Sequence, residues 1–136
     1  MSQIKTFPFQ VASNDQERKP GYRGGLLLIS ARRQDKTTIF DLSGDIDFAN
    51  SPKVRDSVLH EIRECQTPRV VVNLSQVRYM DSSGVASLVE GLKASRDIGS
   101  RFILFGLSTS AREVLQLSHL MKVFEVYDNE EQAMAS

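Results

Sequence analysis

The stretch Val77-Arg78-Tyr79-Met80-Asp81-Ser82-Ser83-Gly84 sets a carboxylate and two hydroxyls where a buried strand hands over to a helix. Upstream, Arg69-Val70-Val71-Val72-Asn73-Leu74 is a short, β-branched apolar run of the kind that forms a strand buried on both faces. Downstream, Val85, Leu88, Val89 and Leu92 recur at spacings of three and four, one face of a helix, and leave Glu90 and Lys93 outside. Ser82 or Ser83 is the expected N-cap, with Asp81 able to cap together with Ser82. A hydroxyl in that position is exposed, lies beside free backbone N–H groups that favour negative charge, and can accept a phosphoryl group. Its plainer use is as a cap alone.

A second junction, Ser43-Gly44-Asp45-Ile46-Asp47, closes an earlier strand. Consecutive parallel strands lie near each other, so its acidic groups are expected to face the serines across one edge of the sheet, where they can hold a metal, take a phosphoryl group or meet a partner. Asp45 is expected to be solvated, and Asp47 either to hydrogen-bond its own turn or to contact a partner. Other chemistries lack their parts. No Gly-x-Ser-x-Gly elbow accompanies a histidine base, and His60 and His119 fall in helical or helix-flanking segments. The phosphate-cradling Gly-x-x-x-x-Gly-Lys-Ser/Thr loop is absent. An aspartate-phosphorylated receiver would want a lysine at the end of a late strand, where Phe105-Gly106 stands. No enzyme activity, cofactor or metal is expected.

The 136 residues, 40% of them hydrophobic, allow one ordinary core. Lysine plus arginine and aspartate plus glutamate number 17 each, a balance that argues against a general nucleic-acid binder. A lone Cys65 excludes an internal disulfide and suits a reducing compartment. No apolar run approaches the length of a membrane span, and Met1-Ser2-Gln3-Ile4-Lys5 lacks the apolar core of a signal peptide, so a cytoplasmic protein without membrane insertion is expected.

Residues 1–24, broken by Pro8, Pro20, Gly21 and Gly24, read as a peripheral or flexible arm ahead of a domain spanning 25–136. Leu26–Ala31 and Thr37–Leu42 read as a hairpin joined through Arg32-Arg33-Gln34-Asp35-Lys36. Ser51-Pro52 opens a helix with proline at its first position, and Val54, Val58, Ile62 and Cys65 mark its buried side. The helix from about 83 to 97 stops at Gly99, and Arg101–Phe105 is another buried strand. Ser110 with Glu113 fits a capping box for a short helix, Val123–Tyr127 is a last strand, and Asn129–Met134 gives a terminal helical turn or two. The order β-β-α-β-α-β-α-β-α predicts an α/β fold: a mixed, mostly parallel sheet with an N-terminal hairpin and about four helices.

Asp41-Leu42-Ser43-Gly44-Asp45-Ile46-Asp47, Val70–Val77 and Tyr79-Met80-Asp81-Ser82-Ser83-Gly84-Val85 closely resemble the STAS domain of bacterial anti-sigma factor antagonists. The likeness runs from about residue 26 to 135 and includes Arg101–Gly106 and Leu120–Phe124. It implies a regulatory cycle in which an anti-sigma factor with serine-kinase activity phosphorylates the second serine of the motif, here Ser83, and a phosphatase reverses the step. The unmodified form would bind the kinase and free a sigma factor. Asp47 matches the family's acidic residue at the preceding strand end, and Asp47, Asp81, Ser82, Ser83 and Gly84 would form the partner-binding surface. Val85-Ala86 departs from the leucine and glycine of many members, and the N-terminal arm is longer than the minimal domain requires. STAS domains also serve as accessory subunits of lipid-transporting ABC systems, binding the ATPase without phosphorylation, and this is the alternative the resemblance leaves open.

Overall fold

Alternation of burial explains how the strands stack. In β2 (Leu26–Gln34) and β3 (Thr37–Ile46), Leu27, Ile29, Ala31, Phe40 and Leu42 point to one face. Ile39 points to the other. The structure, a computed structural model, describes residues 9–12 and 25–136. The expected arm over 1–24 lies outside the described residues apart from β1 (Phe9–Ala12), which pairs antiparallel with β2, Phe9 opposite Ile29 and Ala12 opposite Leu26. The hairpin turn between β2 and β3 is tighter than the sequence implied, because pairing continues to Gln34 and Thr37. Asp35 takes the left-handed conformation, φ 57°, that such a two-residue connection requires.

From β3 onward each strand returns parallel to the last through a helix. β4 is Arg69–Met80, β5 Arg101–Phe105 and β6 Glu125–Tyr127. Within the described residues they complete one sheet in the order β1-β2-β3-β4-β5-β6, with β1–β2 and β2–β3 antiparallel and the remaining pairs parallel. The helices α1 (Ser51–Leu59), α2 (Ser82–Asp97) and α3 (Thr109–Leu117) cover one face, burying Val54, Val58, Val85, Leu88, Ala111 and Leu115 against Val70, Val72, Phe102 and Leu104. The short α4 (Glu130–Ala135) covers the other with Ala133 over Ile39, Val71, Ile103 and Phe105. This is the mixed α/β architecture expected from the order of elements. None of the helices among the described residues is long and apolar enough to cross a membrane.

Three local expectations are corrected. Helix α1 starts at Ser51 itself, after Asn50, so Pro52 falls in the second turn position and not the first. Beyond Leu59 the chain widens into a π-helical turn, His60–Glu64, closed by Cys65 N–H donating to His60 O at 3.2 Å. The wider turn leaves Ile62 buried but rotates Cys65 out to solvent. Helix α3 is capped by Ser108, whose hydroxyl accepts from Ala111 N–H at 3.1 Å. Ser110 instead accepts from the N–H of Met80 at 3.1 Å and so ties α3 to the end of β4.

β4 runs six residues beyond Leu74. Its pairing with β3 slips by one residue between Asp41 and Ser43 and again between Gly44 and Asp45, so Asp41 faces Asn73 while Ile46 faces Met80. Each slip adds an unpaired residue to β4, which spaces the inward side chains Leu74, Val77 and Met80 three apart. Gly44 sits at this irregularity with φ 109°, and a Cβ there would lie 2.1 Å from Leu26 O.

Candidate functional site

Both junctions singled out in the sequence meet at one end of the sheet. Ile46 and Met80, the last residues of β3 and β4, are register partners, and Asp81 N–H donates to Ile46 O at 3.3 Å. Since strand pairing persists through Met80, the next residue is still extended and becomes the cap. Asp81, and neither serine, is the N-cap of α2: its Oδ1 accepts from Ser83 N–H at 2.9 Å and Gly84 N–H at 3.3 Å. Ser82 is exposed in the first helical position and Ser83 follows, half-buried. Among the described residues no hydrogen bond engages the Ser83 hydroxyl, so it performs no capping work.

Gly84 is buried where α2 presses on the strand ends. A Cβ there would lie 2.6 Å from Met80 Cγ and 2.9 Å from Ile46 Cγ2. Only a hydrogen atom fits, and this closeness fixes the height of Ser83 above the sheet.

The acidic residues are consumed by the scaffold. Asp47, 9% exposed, accepts from Asn50 N–H at 3.0 Å through Oδ1 and from Gly25 N–H at 3.4 Å through Oδ2, while its carbonyl accepts from Ser51 N–H at 2.8 Å. It shapes the turn between β3 and α1. Asp45 was expected to be solvated, but it is 7% exposed and held by a two-pronged ion pair with Arg78, Nε to Oδ1 at 2.9 Å and Nη2 to Oδ2 at 2.8 Å. That pairing raises the Arg78 guanidinium above its ordinary value. Burial selects the arrangement, since a desolvated carboxylate needs a cation or N–H donors. Among the described residues no three His, Cys, Asp or Glu side chains form a group able to hold a metal.

Around Ser83 lies an open groove of about 530 Å³ between the β3–α1 segment and α2. Phe48, Pro52 and Arg55 line one wall and Ser83, Ala86 and Glu90 the other. Ser87 clamps the walls together, its hydroxyl donating to Ser51 O at 3.0 Å and to Ser83 O at 3.1 Å. Phe48 is 80% exposed, an aromatic ring in water at the rim of a groove that holds a free hydroxyl. Exposed aromatics of this kind anchor protein interfaces. Sequence reasoning missed Phe48, Arg55 and Glu90. The signals were a large apolar residue in an otherwise small and polar turn, and Ala86 and Glu90 three and seven residues after Ser83 on one helix face.

Comparison with known proteins gives a consistent picture. The family model described as the STAS domain matches residues 29–133. The anti-sigma-B factor antagonist of Listeria monocytogenes serovar 1/2a is 31% identical over 99 residues, covering 72% of this chain and 84% of the relative. The crystal structure of an anti-sigma factor antagonist from Mycobacterium paratuberculosis superposes with a TM-score of 0.72 at 20% identity, covering 80% of this chain and 92% of that one. The Bacillus cell fate determinant SpoIIAA in its phosphorylated form superposes with a TM-score of 0.59 at 25% identity, covering 74% and 89%.

Proposed function

The chain belongs to the STAS domain family, and from that premise we propose that it is an anti-sigma factor antagonist: a non-enzymatic binding switch that docks an anti-sigma factor with serine-kinase activity and is released by phosphorylation of Ser83. Residues 25–136 are the working domain. The groove between α1 and α2 is the docking surface, with Phe48 as its apolar anchor. Ser82, Ser83 and the backbone at Gly84 meet the partner, while Asp47 and Asp81 hold the two loops that present them.

Ser83 carries the reading, because its hydroxyl is accessible, lies on a groove and is not spent on any hydrogen bond among the described residues. The Ser83 oxygen attacks the γ-phosphorus of ATP held by the kinase. The Oγ–P bond forms as the bond from that phosphorus to the bridging oxygen breaks, ADP departs, and the hydroxyl proton passes to a base of the kinase. A phosphatase restores the hydroxyl by hydrolysis, releasing inorganic phosphate. Phosphoserine adds about −1.5 to −2 charges and three acceptor oxygens at the centre of the docking surface. A loss of ~1.4 kcal/mol of binding free energy already weakens association tenfold. A relative whose phosphorylated form is known, at 25% identity, supports the same use of the fold.

Incubating the protein with its anti-sigma kinase and ATP and mapping the product by mass spectrometry tests this. Phosphate is expected on Ser83 and none on the Ser83→Ala variant. Undiminished labelling of that variant would refute the assignment.

A further inference from the structure

We infer that Arg55 is the cation that receives the phosphoryl group of modified Ser83, closing the α1–α2 groove with a phosphate–guanidinium latch within the same chain. The inference rests on the phosphorylation reading above and deepens it, naming what the new charge does once attached.

Ser83 and Arg55 line one groove from opposite walls, and Arg55 is the single cation among the described residues lining it. Its one ion pair among the described residues is with its neighbour Asp56 at 3.5 Å, longer than the roughly 2.7–2.9 Å of a charge-assisted hydrogen bond. Arg78, at the same end of the sheet, contrasts with it, being held at 2.8 and 2.9 Å by Asp45. Arg55 is thus a half-exposed guanidinium with most of its donors uncommitted.

The helix end supplies little in its place. The N–H groups of Ser83 and Gly84 that would ordinarily draw an anion already donate to Asp81. A phosphate on Ser83 therefore arrives beside a carboxylate, with Glu90 further along the same groove. Two negative neighbours and spent amides leave Arg55 as the groove's stabilising partner, and its planar fork matches phosphate oxygens two at a time. The clamp through Ser87 ties α1 to α2 and so holds Arg55 and Ser83 on facing walls of one groove. The latch would occupy the groove and withdraw its cation from any docked protein.

The charged and titratable groups around Ser83 are Asp81 on its own helix, Glu90 in the groove, Asp47 in the facing loop, and Lys53, Arg55 and Asp56 on α1. The test uses the full chain with phosphoserine introduced at position 83 during translation, and follows its second ionisation by phosphorus NMR. In the parent protein that ionisation is expected about half a pH unit or more below its value in the Arg55→Gln variant. Arg55→Lys should keep part of the difference, and Glu90→Gln should lower the value further. Identical titration of the parent and Arg55→Gln, with both folded by circular dichroism, would overturn the latch. Because translation installs the phosphate, this result is independent of the kinase-labelling experiment. Loss of the latch leaves the proposed switch standing, and persistent labelling of Ser83→Ala removes the switch whatever the titration gives.

Discussion

Replacing Gly84 by alanine places a methyl group 2.6 Å from Met80 Cγ, 2.9 Å from Ile46 Cγ2 and 3.1 Å from the Ile46 carbonyl oxygen. None of these neighbours yields easily, since Ile46 is fully buried, Met80 is 3% exposed, and the Ile46 carbonyl also accepts the Asp81 N–H. Forcing a carbon into a filled interior costs about 1–3 kcal/mol. Alanine recovers at most about 1 kcal/mol of helix propensity over glycine. Contacts under 3.0 Å put the packing cost in the upper half of that range, so the net loss is about 1–2 kcal/mol, and at roughly 4 °C per kcal/mol for a chain of this size the midpoint of thermal unfolding falls by about 4–8 °C. Circular dichroism melting, checked by urea denaturation, measures it. Gly99→Ala is the comparison, because nothing lies within 4 Å of its Cβ and only its φ of 70° opposes the change, a cost of about 1 kcal/mol. An unchanged or raised midpoint for Gly84→Ala would refute the claim that α2 is seated against the strand ends by contact at this residue.

Asp81→Ala removes the acceptor for Ser83 and Gly84 N–H and should lower stability by about 1 kcal/mol in chemical denaturation, whereas Asp81→Asn should recover most of it. Ser83→Asp should weaken binding of the proposed anti-sigma kinase at least about tenfold in calorimetry while leaving the melting midpoint nearly unchanged, as the hydroxyl makes no hydrogen bond among the described residues. Burial works to raise the Glu125 carboxyl, but the Tyr127 hydroxyl at 2.7 Å and Arg101 outweigh it, leaving that carboxyl below its ordinary 4.5. The stability it supplies is therefore complete above 4.5 and is lost as pH falls below that value through the lowered folded one. Glu125→Gln should accordingly flatten the acid side of the stability profile, measured by urea unfolding across that range.

Much of the fold was legible because its signals are local. Buried β-branched runs at Val70–Val72 and Phe102–Phe105 alternate with helical periodicity, which dictates a parallel sheet with crossovers. The second half of β4 was not, since two slips space Leu74, Val77 and Met80 three apart, a period that does not read as a strand. Cys65 was misplaced because a π-helical turn leaves no mark on apolar spacing. The cap of α2 could not be ranked among Asp81, Ser82 and Ser83, all good capping residues, until pairing showed the strand persisting to Met80. At the site, the motif around Ser83 was visible in a single segment. Phe48, Arg55 and Glu90 join it only through the packing of α1 on α2, information that no local window holds. Asp45 was misjudged for the same reason, its partner Arg78 standing 33 residues away.

The two irregularities in β4 impose an arithmetic on how this edge of the molecule can change length. Because Asp41 faces Asn73 and Ile46 faces Met80 on either side of both slips, each extra residue of β4 is taken up as a bulge, and removing one at a slip would keep Met80 inward and paired with Ile46. A single deletion earlier in β4, between Arg69 and Asn73, has no spare residue to absorb it and would turn the inward side chains beyond it toward the opposite layer. Ladder pairing alone would permit a shorter strand. The two extra residues of β4 therefore bend and twist the strand end that carries Asp81, and do not lengthen its reach past β3.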